Sequence, residues 1–183
     1  MMSRYKLFAD ILTFFRIVIA FAIVIVGLLV GRNGITVALV LLLLGWLTDA
    51  FDGPLARRDP KCTRTWIGEN DLIADVLLSL SIIIYFVLSG IISPSVFFFY
   101  FIFLSVSTLV IKSRSFYVTF IGLSYGLSIL ISYYQSTMIT WLFLFYIIII
   151  PLLTWGHFYE GTKLFFTGFK EIELRAPLKR WFV

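Results

Sequence analysis

Four aspartates stand in two pairs, Asp49 and Asp52 in GWLTDAFDG and Asp71 and Asp75 in GENDLIADV. Spacings of three and four put each pair on one face of a helix. If the two helices lie side by side, the four carboxylates converge at one depth and repel unless a cation sits between them. Hard oxygen donors suit Mg²⁺ or Mn²⁺, and four carboxylates could hold two such ions. The simpler reading is that carboxylates near helix ends mark the water boundary. Asp75 resists that reading most, because it stands a turn beyond Asp71 among Leu72, Ile73, Val76 and Leu77. Between the pairs, Gly53 and Ala56 leave room for close approach to the backbone, and Arg57 offers a planar fork to phosphate. Acid-held metals beside such an arginine describe a diphosphate site, in which metals neutralise phosphate and clamp the attacking and leaving oxygens.

The elements that must position these residues are apolar helices. Of the 183 residues 61% are hydrophobic and 14% charged, with mean hydropathy +1.02. A soluble domain is about half apolar and about a quarter charged. The composition therefore excludes a water-soluble globule, a disordered chain and, with Cys62 the sole cysteine, a disulfide scaffold. Spanning takes about 20 apolar residues. Six segments qualify, at 11–31, 35–52, 71–91, 95–112, 116–134 and 138–158, separated by GRNG, by the polar stretch 53–68, by SGIISP and by YYQST. The expected fold is an all-α integral membrane protein with six transmembrane helices, forming one domain over 1–183. Residues 1–10 are expected as a short amphipathic interfacial helix and 162–183 as a basic surface tail. The start MMSRYKLFADILTFF has no small-residue cleavage site and reads as lacking a removable signal. With the N-terminus placed inside, 13 of the 15 Lys and Arg fall on the cytoplasmic side, Arg32 lies outside and Arg16 lies within the first span. That asymmetry puts both termini and the 53–68 connection in the cytoplasm. The net charge of +5 then serves the membrane face rather than nucleic acid.

With these residues in view, the sequence resembles the CDP-alcohol phosphatidyltransferases, whose signature is D-x-x-D-G-x-x-A-R followed by G-x-x-x-D-x-x-x-D. Asp49, Asp52, Gly53, Ala56 and Arg57 match the first half, and Asp71 and Asp75 match the closing pair. The segment Ala9-Asp10-Ile-Leu-Thr13-Phe-Phe-Arg16 is similar to the family's P-N/D-x-x-T-x-x-R stretch. One departure is visible: Gly68 stands three residues before Asp71 where the family has four. The resemblance implies that Asp49, Asp52, Asp71 and Asp75 hold Mg²⁺ or Mn²⁺, two ions in all. It implies that Asp75 is also the base toward the attacking hydroxyl. Asp10, Thr13, Gly53, Ala56, Arg57, Thr63 and Gly68 would line the cytidine diphosphate. The reaction implied is phosphatidyl transfer from CDP-diacylglycerol to an alcohol, releasing CMP at the cytoplasmic face, by a homodimeric enzyme of phospholipid biosynthesis. Glycerol 3-phosphate is the first expected acceptor, because Thr13 and Arg16 are similar to the phosphatidylglycerophosphate synthases and Lys112 and Arg114 could bind its phosphate. Inositol phosphate, serine and phosphatidylglycerol stay open.

Other residues carry two readings. Arg16 either snorkels to the surface or holds a phosphate, and Arg64, Lys112 and Arg114 are either positive-inside flanks or an acceptor pocket. His157 and the tryptophans Trp66, Trp141 and Trp155 read as interfacial. Gly122 and Gly126, four apart, form a small-xxx-small pair expected at a close helix contact. Three rival functions are a small cation transporter lined by the aspartates, an inactive relative that binds the nucleotide-lipid, and an intramembrane prenyltransferase. All four aspartates lie at one membrane face, which disfavours a path across it, and a prenyltransferase would have no need of Gly53, Ala56 and Arg57.

Overall fold

A computed structural model describes residues 4–57, 65, 71–110, 114–135, 137–153 and 162–163, with the backbone alone described at 52–57, 107–110, 114–116 and 153. Among them are six α-helices and no strand: α1 (Arg4–Leu29), α2 (Ile35–Arg57), α3 (Asp71–Leu88), α4 (Pro94–Val110), α5 (Arg114–Gln135) and α6 (Thr137–Leu153). Four stretches, Arg4–Leu29, Gly31–Phe51, Asp71–Leu88 and Tyr117–Gln135, are long and apolar enough to cross a membrane. Helices α4 and α6 are apolar and 17 residues long.

Helix α1 corrects one expectation. Residues 4–10, part of the segment read as a separate interfacial helix, are the first turns of one unbroken 26-residue helix. Its buried residues, Lys6, Ala9, Asp10, Thr13, Arg16, Ile19, Ala20, Ile23 and Gly27, recur at three- and four-residue intervals and so form one stripe. The first half of that stripe is polar and the second apolar. Nothing at Asp10 or Thr13 breaks the helix, because the polar groups find partners on the inner side.

Local chemistry explains the turns. GRNG forms a 3-10 turn, Gly31–Gly34, entered through Gly31 at φ 60°, a left-handed value that glycine adopts without Cβ strain. The Tyr85 hydroxyl donates to the Gly31 carbonyl at 3.0 Å and ties this turn to α3. Helix α3 ends in a Schellman motif. Gly90 (φ 69°) donates to the Val87 carbonyl at 3.0 Å, and Ile91 donates to Phe86 at 2.9 Å. Pro94 then opens α4, where its missing N–H is no loss.

Helix α1 packs most extensively against α2 and α3. The apolar core lies where they meet, built from Ile23, Leu39, Leu42, Leu78, Ile82 and Phe86 with Phe143 of α6. Gly45 permits the α2–α3 approach: a Cβ there would stand 2.5 Å from Leu78 Cδ2. The α5–α6 side is joined by hydroxyls. Ser132 and Thr140 lie 3.1 Å apart, and the Tyr100 hydroxyl of α4 reaches Ser124 at 2.7 Å. Outward faces of all six helices carry exposed large apolar residues, Leu29, Phe99 and Leu152 among them, which is the surface a bilayer covers.

Candidate active site

The motif on α2 occupies one helical stripe. Asp49, Asp52, Gly53, Ala56 and Arg57 fall at i, i+3, i+4, i+7 and i+8, and α2 continues through Arg57, beyond the expected end of the span. Helix α3 begins at Asp71, whose carboxylate accepts the backbone N–H of Leu72 at 2.7 Å. A negative charge in the first turn is favourable there, since the helix N-terminus is the positive end of the dipole. Asp75 follows one turn later on the same side.

The two helices are brought into register by a residue from the third. Arg16 of α1 is fully buried, and one terminal nitrogen of its guanidinium pairs with Asp75 and lies 3.2 Å from Asp49 Oδ1. The side chain does not snorkel to the surface: it joins the carboxylates of α2 and α3. Asp49 is more than half exposed on its open side and Asp75 about one-fifth exposed. Asp71 is near enough that its charge acts on both. A buried arginine in a membrane protein needs such partners, because an unpaired charge away from water is costly.

Below this cluster lies a second one. Asp10, nine-tenths buried, pairs with Lys6 at 3.1 Å and accepts a hydrogen bond from the Thr65 hydroxyl at 2.9 Å. Asp10 therefore anchors a residue of the α2–α3 connection to α1. Thr13, buried on the same stripe, donates to the Ala9 carbonyl at 3.2 Å. Of the other residues singled out, Asp52, Gly53, Ala56, Arg57 and Arg114 are placed by their backbone alone. Thr63, Arg64, Gly68, Lys112 and His157 lie outside the described residues.

A cavity of about 570 Å³ opens beside Asp49 and Asp75, within the usual range for a small-molecule pocket. Its walls come from α2, α3, α5 and α6, and include Trp46, Leu78, Gly122, Tyr125, Gly126 and Tyr146. Trp46 is the centre of an aromatic cluster, with Tyr125 at 4.6 Å, Phe143 at 5.0 Å and Tyr146 at 5.6 Å between ring centroids. The Tyr146 hydroxyl donates to the Trp46 carbonyl at 2.6 Å. Sequence reasoning passed over Trp46, Tyr125 and Tyr146, whose only signal was a hydroxyl or indole N–H inside an apolar run. It also treated Lys6 as a surface charge, although its four-residue spacing from Asp10 was legible.

The family model for CDP-alcohol phosphatidyltransferase matches residues 6–168. The chain belongs to that family. No curated protein and no solved structure gives a significant match. The chain is thus a membrane transferase, a phosphotransferase for substituted phosphate groups, that moves a phosphatidyl group from a CDP-alcohol to an acceptor. The family generally uses divalent metal ions. Among the described residues, no three Asp, Glu, His or Cys side chains gather closely enough to hold a metal ion. In donor chemistry alone, the carboxylates of Asp49, Asp71 and Asp75 are the hard oxygen type that a divalent cation takes.

Proposed function

We propose that the chain transfers the phosphatidyl group of CDP-diacylglycerol to a small alcohol, with glycerol 3-phosphate the first candidate, and that the chemistry occurs at Asp49 and Asp75. The observation that carries this reading is their meeting at Arg16 on the rim of a cavity that leads between apolar helices. The diphosphate belongs at the charged rim, beside the stripe formed by Gly53, Ala56 and Arg57. Thr63 and Gly68 are the proposed further nucleotide contacts. In this reading Asp10 acts indirectly, holding Thr65 beside α1.

The reaction balances without a covalent enzyme intermediate. The acceptor oxygen attacks the phosphorus that carries diacylglycerol, its proton passes to the Asp75 carboxylate, and the bond from that phosphorus to the CMP oxygen breaks. Holding both reactants at one interface supplies proximity, and Asp75 within reach of the hydroxyl supplies general-base catalysis. Arg16 keeps the carboxylate of Asp75 turned toward the rim by pairing with it. Asp49, Asp52, Asp71 and Asp75 would hold Mg²⁺ or Mn²⁺, which supplies neutralisation of the diphosphate charge. The Lys and Arg asymmetry supports a cytoplasmic site, with Arg64, Lys112 and Arg114 available to an anionic acceptor. Association as a homodimer rests on the family resemblance.

The test is CMP release by the purified protein in lipid nanodiscs, given CDP-diacylglycerol, Mg²⁺ or Mn²⁺ and a panel of alcohols. The expected outcome is release that needs one acceptor, is stopped by a chelator and is lost in Asp75→Asn. CMP release independent of acceptor and of Asp75 would remove this reading, as would metal transport with no release.

A further inference from the structure

Charge reaches the site from two directions. Arg16 comes from the inner stripe of α1, between Thr13 and Ile19, and its side chain is fully buried. Asp49 and Asp75 come from α2 and α3, and their side chains stay partly open, 58% and 22% exposed. A single terminal nitrogen of the guanidinium serves both: it donates to Asp75 Oδ1 and lies 3.2 Å from Asp49 Oδ1. One positive group thus bridges two carboxylate oxygens from different helices, which is also what a hard metal ion does between carboxylates. Lys6, the other buried cation of the stripe, is engaged with Asp10 at 3.1 Å.

A divalent cation and the guanidinium therefore draw on the same oxygens. An oxygen that accepts a charge-assisted hydrogen bond has less electron density left for a metal. Two positive charges a few ångströms apart also repel, and the more so away from bulk water. Arg16 has no chemical way out of this conflict, because a guanidinium does not lose its proton in a protein. Nor can it simply turn away, since an arginine buried without a partner is costly.

We propose that Arg16 is a built-in competitor of the divalent cation: it orders Asp49 and Asp75 and, by neutralising part of their charge, holds down their affinity for the metal. This deepens the reading of those aspartates as metal ligands and rests on it. An arginine that only braced the helices would add stability and leave metal affinity unchanged, or raise it by ordering the ligands. A competitor adds stability and lowers metal affinity. Its removal weakens the fold and strengthens the metal site, two effects of opposite sign from one substitution.

The test titrates Mn²⁺ into the purified protein in detergent, with neither nucleotide nor lipid substrate present, and reads the free ion by its electron paramagnetic resonance signal. Binding that persists in Asp49→Asn is subtracted as background. Arg16→Met is expected to bind Mn²⁺ about tenfold more tightly than wild type, or more. Arg16→Lys keeps a positive charge at the position and is expected to stay within about threefold of wild type. Unchanged or weaker binding in Arg16→Met overturns the proposal. Equal tightening in Arg16→Lys overturns it too, because the shape of the side chain rather than its charge would then be responsible. Should Arg16→Met not fold, the neutral Arg16→Gln carries the test, with the same tightening expected and its absence overturning the proposal. Failure of the underlying reading looks different: wild type and Arg16→Met then bind no more Mn²⁺ than Asp49→Asn does, and the proposal falls with it.

Discussion

The two walls of the cavity are built on opposite plans. On the α2–α3 side the helices touch: Gly45 admits Leu78, Arg16 ties Asp49 to Asp75, and the apolar core fills the space behind. On the α5 side Gly122 and Gly126 face open space. The same residue type closes one wall and opens the other. The lesson is that the charged cluster is held where helices press on one another, whereas on α5 glycine leaves open space because no neighbour approaches it. The charged wall is also the costlier to disturb, since loss of one partner leaves another buried and uncompensated.

Breaking the chemistry of the closed wall should give the largest effect. Asp75→Asn is expected to lower CMP release by about 10²–10⁴-fold, the share a general base supplies, while circular dichroism shows an intact helical protein. Next comes Arg16→Met, which removes the charge that both carboxylates share. A loss of about 3–5 kcal/mol is expected for a broken buried pair, read as a lower midpoint in denaturant titration of the detergent-solubilised protein. If Arg16→Met unfolds no more easily than wild type, the closed wall is not held by that pair. Gly45→Ala tests the packing half of the contrast. Overpacking at this crossing should cost about 1–3 kcal/mol, seen as a fall in thermal midpoint.

A smaller effect is expected from Thr65→Val, which deletes one hydrogen bond to Asp10. About 1 kcal/mol is the usual net worth of such a bond, read as a small fall in thermal midpoint. The smallest and opposite effect belongs to the open wall. Gly122→Ala places a methyl in free space and removes glycine's backbone entropy from a helix, so a gain of about 0.5–1 kcal/mol is expected. A thermal midpoint that drops in Gly122→Ala as it does in Gly45→Ala would erase the distinction between the walls.

Much of this was legible before any coordinates, because membrane helices leave strong marks. Long apolar runs broken by GRNG and SGIISP located the helices and their turns, and the spacing of Asp49, Asp52, Gly53, Ala56 and Arg57 required one helical stripe. The meeting of Asp49 and Asp75 at Arg16 agrees with the expectation that the two aspartate-bearing helices lie side by side. Residues 4–10 were harder. Their mixed charge suggested an element lying apart on the surface, but Lys6 and Asp10 satisfy each other and Thr65 completes the set, so the helix runs straight through.

What the sequence by itself determined is local and periodic: which residues are helical, which share a face, and that costly carboxylates stand near one end of α2 and α3. The tertiary structure decided which faces meet. Nothing in the spacing of Arg16 names its partners, because its contacts with Asp49 and Asp75 lie 33 and 59 residues away along the chain. Nor does the spacing of Gly122 and Gly126 distinguish a contact from an opening. That depends on how far α5 stands from its neighbours, a distance fixed by the bulk of Trp46, Tyr125 and Tyr146 packed between the helices rather than by either glycine.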